Sequence, residues 1–192
     1  MDAKTWEALR GAIVETHTEM LREGIVTPPT LYALRNWQLL GYVSLRQVRR
    51  GRDAIDAVAE LGQFAAGGEA DEVVLVWESQ DLAVATELPP DHPEPCLTIA
   101  HARDDRCRLH RLPYRERPIG TAAGTGLAAA APQWLNAPAH EDGALLPPPI
   151  QLAIDMSFAP WDPPGSNPGL EAAGLYLEQL GYRVRYARPR DS

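Results

Sequence analysis

Lysine is almost missing from this chain. Of 192 residues, Lys4 is the only lysine, and the other 17 basic residues are all arginine. A P-loop, a Schiff-base site or any chemistry built on a buried lysine therefore has no candidate beyond position 4. Cysteine is scarce as well. Cys96 and Cys107 are too few for a disulfide scaffold and do not form a C-x-x-C pair. No run approaches the roughly 18–20 apolar residues that a membrane helix needs. The opening MDAKTWEALR lacks the basic-then-apolar order of a secretory signal, so the sequence predicts a cytoplasmic protein. The patterns G-x-S-x-G and H-E-x-x-H are absent, and no cofactor is expected. Basic residues number 18 against 26 acidic ones, a net charge of −8. That balance argues against a surface that coats nucleic acid or anionic membrane.

What is present is ordinary globular material. Hydrophobic residues make up 45% and charged residues 23%, enough apolar side chains for a real core. Arginine in place of lysine, with abundant Ala, Gly and Pro, points to a GC-rich bacterial source. Residues 5–23 read as an amphipathic helix on Trp6, Leu9, Ile13, His17, Met20 and Leu21, ended by Gly24. Thr30 to about Leu40 reads as a second helix, with Leu31, Leu34 and Trp37 on one side. The capping box Ser44-Leu-Arg-Gln47 opens a third.

From Glu72 the period becomes that of strands. EVVLVWE (72–78) is apolar on both faces, as in a central strand. LAVATEL (82–88) reads as its hairpin partner. CLTIAHAR and RCRLHRL flank Asp104-Asp105 as a second hairpin. Residues 117–149 read as a long Gly/Ala/Pro loop, and the alternating IQLAIDMSF (150–158) as a strand. Asn167-Pro168 then opens a helix that Gly181 ends, before a last strand at 182–186. The expected fold is α+β: a helical segment over 1–66 with about three helices, then 67–192 as a mostly antiparallel sheet of about six strands. A C-terminal helix packs on the sheet, and the whole forms one compact unit.

The charge is segregated. Residues 67–100 carry eight acidic groups and no basic one; 118–181 carry six acidic groups and no basic one. Residues 101–117 and 182–192 each carry a net +3, all of it arginine. In the second hairpin, the Asp104-Asp105 turn sets Arg103 against Arg106 and Ala102 against Cys107. Alternation then places His101, Arg103, Arg106, Arg108 and His110 on one face, a candidate anion- or partner-binding set. The same register divides Cys96 and Cys107 from the histidines, so no tetrahedral zinc site forms and no metal is expected. The two cysteines lie too many rungs apart for a disulfide and read as small buried residues.

Other patterns carry less. Gly120-Thr-Ala-Ala-Gly124-Thr-Gly126 lacks the strand before and the helix after that a phosphate loop needs. His17 sits on an apolar helix face and reads as a core histidine. Three functional expectations follow. The first is a non-catalytic bacterial accessory protein that binds a protein partner through its charge-segregated surfaces. The second is an enzyme on a small anionic substrate (phosphate or carboxylate), with His101 and His110 as acid–base groups and Arg103 and Arg108 as clamps. The third is a helix–turn–helix DNA regulator using residues 27–52, with Arg46, Arg49, Arg50 and Arg52 on phosphates.

Overall fold

A computed structural model describes residues 3–103, 106–136, 140–143, 145–161 and 169–187. The fold is α+β: an antiparallel eight-stranded sheet with helices on both faces. In chain order the elements are α1 (Ala3–Arg22), β1 (Thr30–Arg35), β2 (Gln38–Ser44), α2 (Arg52–Glu60), α3 (Gly62–Gly67), β3 (Glu72–Glu78) and α4 (Ser79–Thr86). There follow β4 (Cys96–Arg103), β5 (Arg106–Thr121), β6 (Ala128–Trp134), β7 (Glu141–Asp142), α5 (Pro148–Ser157), α6 (Leu170–Gln179) and β8 (Arg183–Tyr186). The strand order is β6-β5-β4-β3-β1-β2-β8, with β7 paired to part of β5. Strands from both halves of the chain thus share one sheet. Among the described residues no helix is long and apolar enough to cross a membrane.

Alternation along the strands builds two cores. Val73, Leu75 and Trp77 of β3 face one way, with Leu31, Val43 and Ala100, onto Val58 of α2, Phe64 of α3, Ile154 of α5 and Leu177 of α6. Val74 and Val76 face the other way, with Leu34, Leu97 and Ile99, onto Ile13 of α1 and its neighbours Trp6, Leu9 and Val14. All seven residues of β3 are buried. The doubly apolar run in the sequence is therefore the central strand it predicts.

α1, the β4–β5 hairpin, α6 and β8 form where the sequence places them, with the expected turn at 104–105 and helix opening at 167–168 lying outside the described residues, and four other segments differ. Residues 30–44 are a hairpin, not helices. Arg35 pairs with Gln38 around the two-residue turn Asn36-Trp37, whose φ values of 49° and 71° are those of a hairpin turn matched to strand twist. The helix–turn–helix of residues 27–52 accordingly does not form, and residues 45–50 are irregular. Residues 79–86 are a helix rather than a strand, because Glu78 caps it by accepting the Asp81 backbone N–H. Residues 148–157 are a helix as well. Pro148 and Pro149 occupy its first turn, and Ile150, Ala153, Ile154 and Ser157 make the buried stripe, while Leu152 is exposed. Finally, the stretch read as a long loop holds the end of β5, β6 and β7. Gly120 is still paired in β5, opposite Ala129, and Gly124 and Gly126 lie in the turn between β5 and β6.

Gly24 ties α1 to that β5–β6 ribbon. Its φ is +70°, and a Cβ there would lie 2.6 Å from the Leu127 Cβ and 2.7 Å from the Ala128 carbonyl oxygen. The Thr125 hydroxyl donates to the Glu23 carbonyl beside it at 2.8 Å. Gly24→Ala combines left-handed strain with a backbone clash. It is expected to cost about 2–3 kcal/mol in urea denaturation. A loss below about 0.5 kcal/mol would show that the ribbon does not dock there.

Candidate functional site

The β4–β5 register matches the sequence reading rung by rung: Arg103 opposite Arg106, Ala102 opposite Cys107, His101 opposite Arg108 and Ile99 opposite His110. His101, Arg103, Arg106, Arg108 and His110 therefore share one face. Leu97, Ile99 and Leu112 share it too, and α1 packs on it. The face is apolar toward one end of the hairpin and polar toward the other.

α1 brings Trp6 over the two histidines. Its ring stacks on His101 at 5.1 Å between centroids and 13° between planes, and it lies 4.5 Å from His110. His140 lies beside His110, with 5.9 Å between ring centroids. Beneath His101, its Nε2 is hydrogen-bonded to Glu72, a fully buried carboxyl at the start of β3. Burial pushes the His101 pKa down, while the Glu72 carboxylate opposes that shift. The arginines diverge. Arg108 pairs with Asp142 at 3.2 Å, and the neighbouring Arg111 pairs with Glu141. Both acids belong to β7, from the stretch read as loop, so local spacing carries no sign of this neutralisation. Arg106 stays exposed and pairs with no described residue.

The two histidines are packed under Trp6, while Arg103, Arg106 and Arg108 are exposed, so the five do not form one clamp. A cavity of about 630 Å³ between β5 and α5 is lined by Arg106, Arg108, Cys107, Gln151 and Phe158 and by neither histidine. Cys96 is fully buried and Cys107 half-buried; both are free, and burial lifts each thiol to about 11. Such thiols are poor nucleophiles at neutral pH. Among the described residues no three of His, Cys, Asp and Glu are placed to hold a metal ion.

His17 is a core histidine, as its helix position predicts. It is fully buried, with Nδ1 2.8 Å from the Thr27 hydroxyl and its ring edge-on to Tyr114 at 5.2 Å. Burial drops its pKa to about 4.

A second constellation was not visible in the sequence. At the far end of β3 the Glu78 carboxylate is 3% exposed. It accepts the Asp81 backbone N–H at 2.7 Å and the Cys96 backbone N–H at 2.8 Å. Those bonds favour the charged form, but burial outweighs them and lifts the pKa to about 7. The Asp81 pKa is raised too, again mainly by burial. The only available signal was an acidic residue ending an apolar run three positions before another acid, a spacing that also describes a turn.

The helix–turn–helix arginines are partly spent on the fold. Arg46 pairs with Asp53 at 2.7 Å and Arg52 with Asp56 at 3.4 Å. The Arg46 and Arg49 contacts hold the Asp53 carboxyl down at about 2. On β8, Val184 points into the core while Arg183 and Arg185 are exposed on the opposite face. The Tyr32–Tyr42 pair (5.4 Å) lies on neighbouring strands, and Tyr42 stands directly across from Arg185. The two arginine-rich segments thus sit toward opposite edges of the sheet. Comparison with known proteins returns no matching family model, no matching curated protein and no matching solved structure.

Proposed function

We propose that this protein is a non-catalytic binding protein that receives an acidic protein partner on its exposed arginines, those of β8 foremost. The observation that carries the reading is the contrast between the two arginine sets. Arg108 and Arg111 are neutralised by β7 and the histidines lie under Trp6. Arg183 and Arg185 instead stand on an edge strand with no acidic partner among the described residues. Guanidinium forks on such an edge suit carboxylates of an incoming chain. Positive charge on an edge strand also deters unwanted strand addition, and the test separates these roles.

The test uses the full chain as bait in an extract of its source, at low and at high salt. The expected result is a partner that high salt releases and that the double variant Arg183→Glu/Arg185→Glu binds roughly tenfold or more weakly. Capture unaffected by the double variant overturns the assignment of the β8 surface. Turnover on an ester or phosphoester panel, abolished by His101→Ala with His110→Ala, overturns the non-catalytic reading. Such turnover would favour acid–base chemistry on the Glu72–His101 pair.

A further inference from the structure

The cavity at the end of β3 is independent of the arginine surfaces. It has a volume of about 340 Å³, within the roughly 300–1,000 Å³ typical of small-molecule sites. The α1–β1 loop, the 45–50 segment and α4 enclose it. Its walls are apolar, with Pro28, Pro29, Leu45, Val48 and Val84 among them, and Glu78 and Asp81 supply its acidic end. We infer that this cavity binds a small organic ammonium ion with an aliphatic body, the charged end seated on Glu78 and Asp81.

Three observations select that ligand. First, the Glu78 carboxylate is immobilised. Each oxygen accepts one backbone N–H, which fixes its direction, and the Asp81 carboxyl is in hydrogen-bond contact with it, so a donor entering the cavity meets the two carboxyls together. Second, the two carboxyls are hydrogen-bonded to each other, and what balances them is the proton that burial favours between them. Neither group forms an ion pair with a described residue, and Arg50, the cation along the same cavity, is exposed and does not reach them. An ammonium takes the place of that proton and supplies three donors to the two carboxylates. Third, the walls match hydrocarbon. A hydrated divalent ion would leave them unused and would find two carboxylates where it prefers six or more oxygens. An anion would be repelled at the acidic end. Arg50 at the rim disfavours a second positive charge on the ligand, so a monoamine fits better than a diamine.

The experiment titrates the isotope-labelled full chain with 3-methylbutylamine, and separately with 3-methylbutan-1-ol, 3-methylbutanoate and calcium chloride, following backbone amide shifts. The amine is expected to move the amides of Thr27, Val48, Asp81 and Ala85 and to bind roughly tenfold or more tightly than the alcohol. The carboxylate should leave them unmoved. Asp81→Asn should weaken the amine by about tenfold. Val84→Trp, at a half-exposed position on α4, should block the cavity while the fold is kept. Equal binding of amine and alcohol, shifts confined to other residues, undiminished binding in both variants, or the same shifts produced more strongly by calcium would each overturn the inference.

Discussion

Trp77→Ala is expected to lower stability by about 3–5 kcal/mol, the range for removing a fully buried aromatic ring. Trp77 lies on the central strand, opposite Thr98 of β4, and has no exposed surface. Its ring belongs to the larger core, which draws on both halves of the chain. A cavity there cannot collapse without moving β3, which is paired on both sides by β1 and β4. The indole N–H has no acceptor among the described residues, and a buried unpaired donor is itself unfavourable. Trp77→Phe removes that donor along with part of the ring, so the two effects oppose each other and the net loss should stay under about 1.5 kcal/mol. Urea unfolding followed by far-ultraviolet circular dichroism measures both. If Trp77→Phe were as damaging as Trp77→Ala, the indole N–H would have to be making a bond that matters.

The elements legible in the sequence are those whose period is unambiguous. α1 repeats its apolar residues every three or four positions and closes on Gly24. β3 is apolar on both faces between its terminal glutamates, and the β4–β5 register runs from Arg103 opposite Arg106, as the spacing predicts. The failures are places where two periods coexist. In 150–158 the residues Ile150, Ile154 and Phe158 satisfy both alternation and a helical stripe, and the deciding feature is the Pro-Pro start, which suits a helix N-terminus. In 30–44, Leu31, Leu34 and Trp37 mimic a helix. The turn that breaks it is Asn-Trp instead of the Asn-Gly that marks such hairpins, so a bulky residue at φ 71° hides the signal. β6 begins with four alanines and carries no strand preference of its own. It exists because the extension of β5 gives it a partner, with Arg117 opposite Ala131.

The candidate site divides the same way. Which side chains share the hairpin face follows from local alternation and is correct. What covers that face does not follow, because Trp6 arrives from a helix about a hundred residues earlier and the acids that neutralise Arg108 and Arg111 come from β7. An anion clamp and a paired structural layer look identical until those distant segments are placed. Glu78 was missed for a related reason. Its environment is made by the α1–β1 loop and residues 45–50, whose positions depend on the β1–β2 hairpin.

The second large effect is a pair of opposed pH dependences. His17 stays neutral in the folded chain down to about pH 4, against an ordinary value of 6.5. Between those values only the unfolded chain takes up the proton, so stability falls as the pH drops from 6.5 toward 4, by about 3 kcal/mol in all. Glu78 does the reverse. Folded, it keeps its proton up to about pH 7; unfolded, it loses it near 4.5. Its contribution is fully present below 4.5 and is lost as the pH rises toward 7. Between pH 4.5 and 6.5 the two slopes cancel in part, and each single variant should uncover the other group. His17→Phe, which keeps a ring beside Tyr114, should make the protein lose stability as the pH rises through that window relative to the wild type. Glu78→Gln should make it lose stability as the pH falls. The double variant should restore a shallow profile between them. Thermal unfolding in buffers spanning the window reads all four curves. A flat profile in either single variant would show that the group it retains shares the protonation behaviour of the unfolded chain, and that burial at that position does not set its charge.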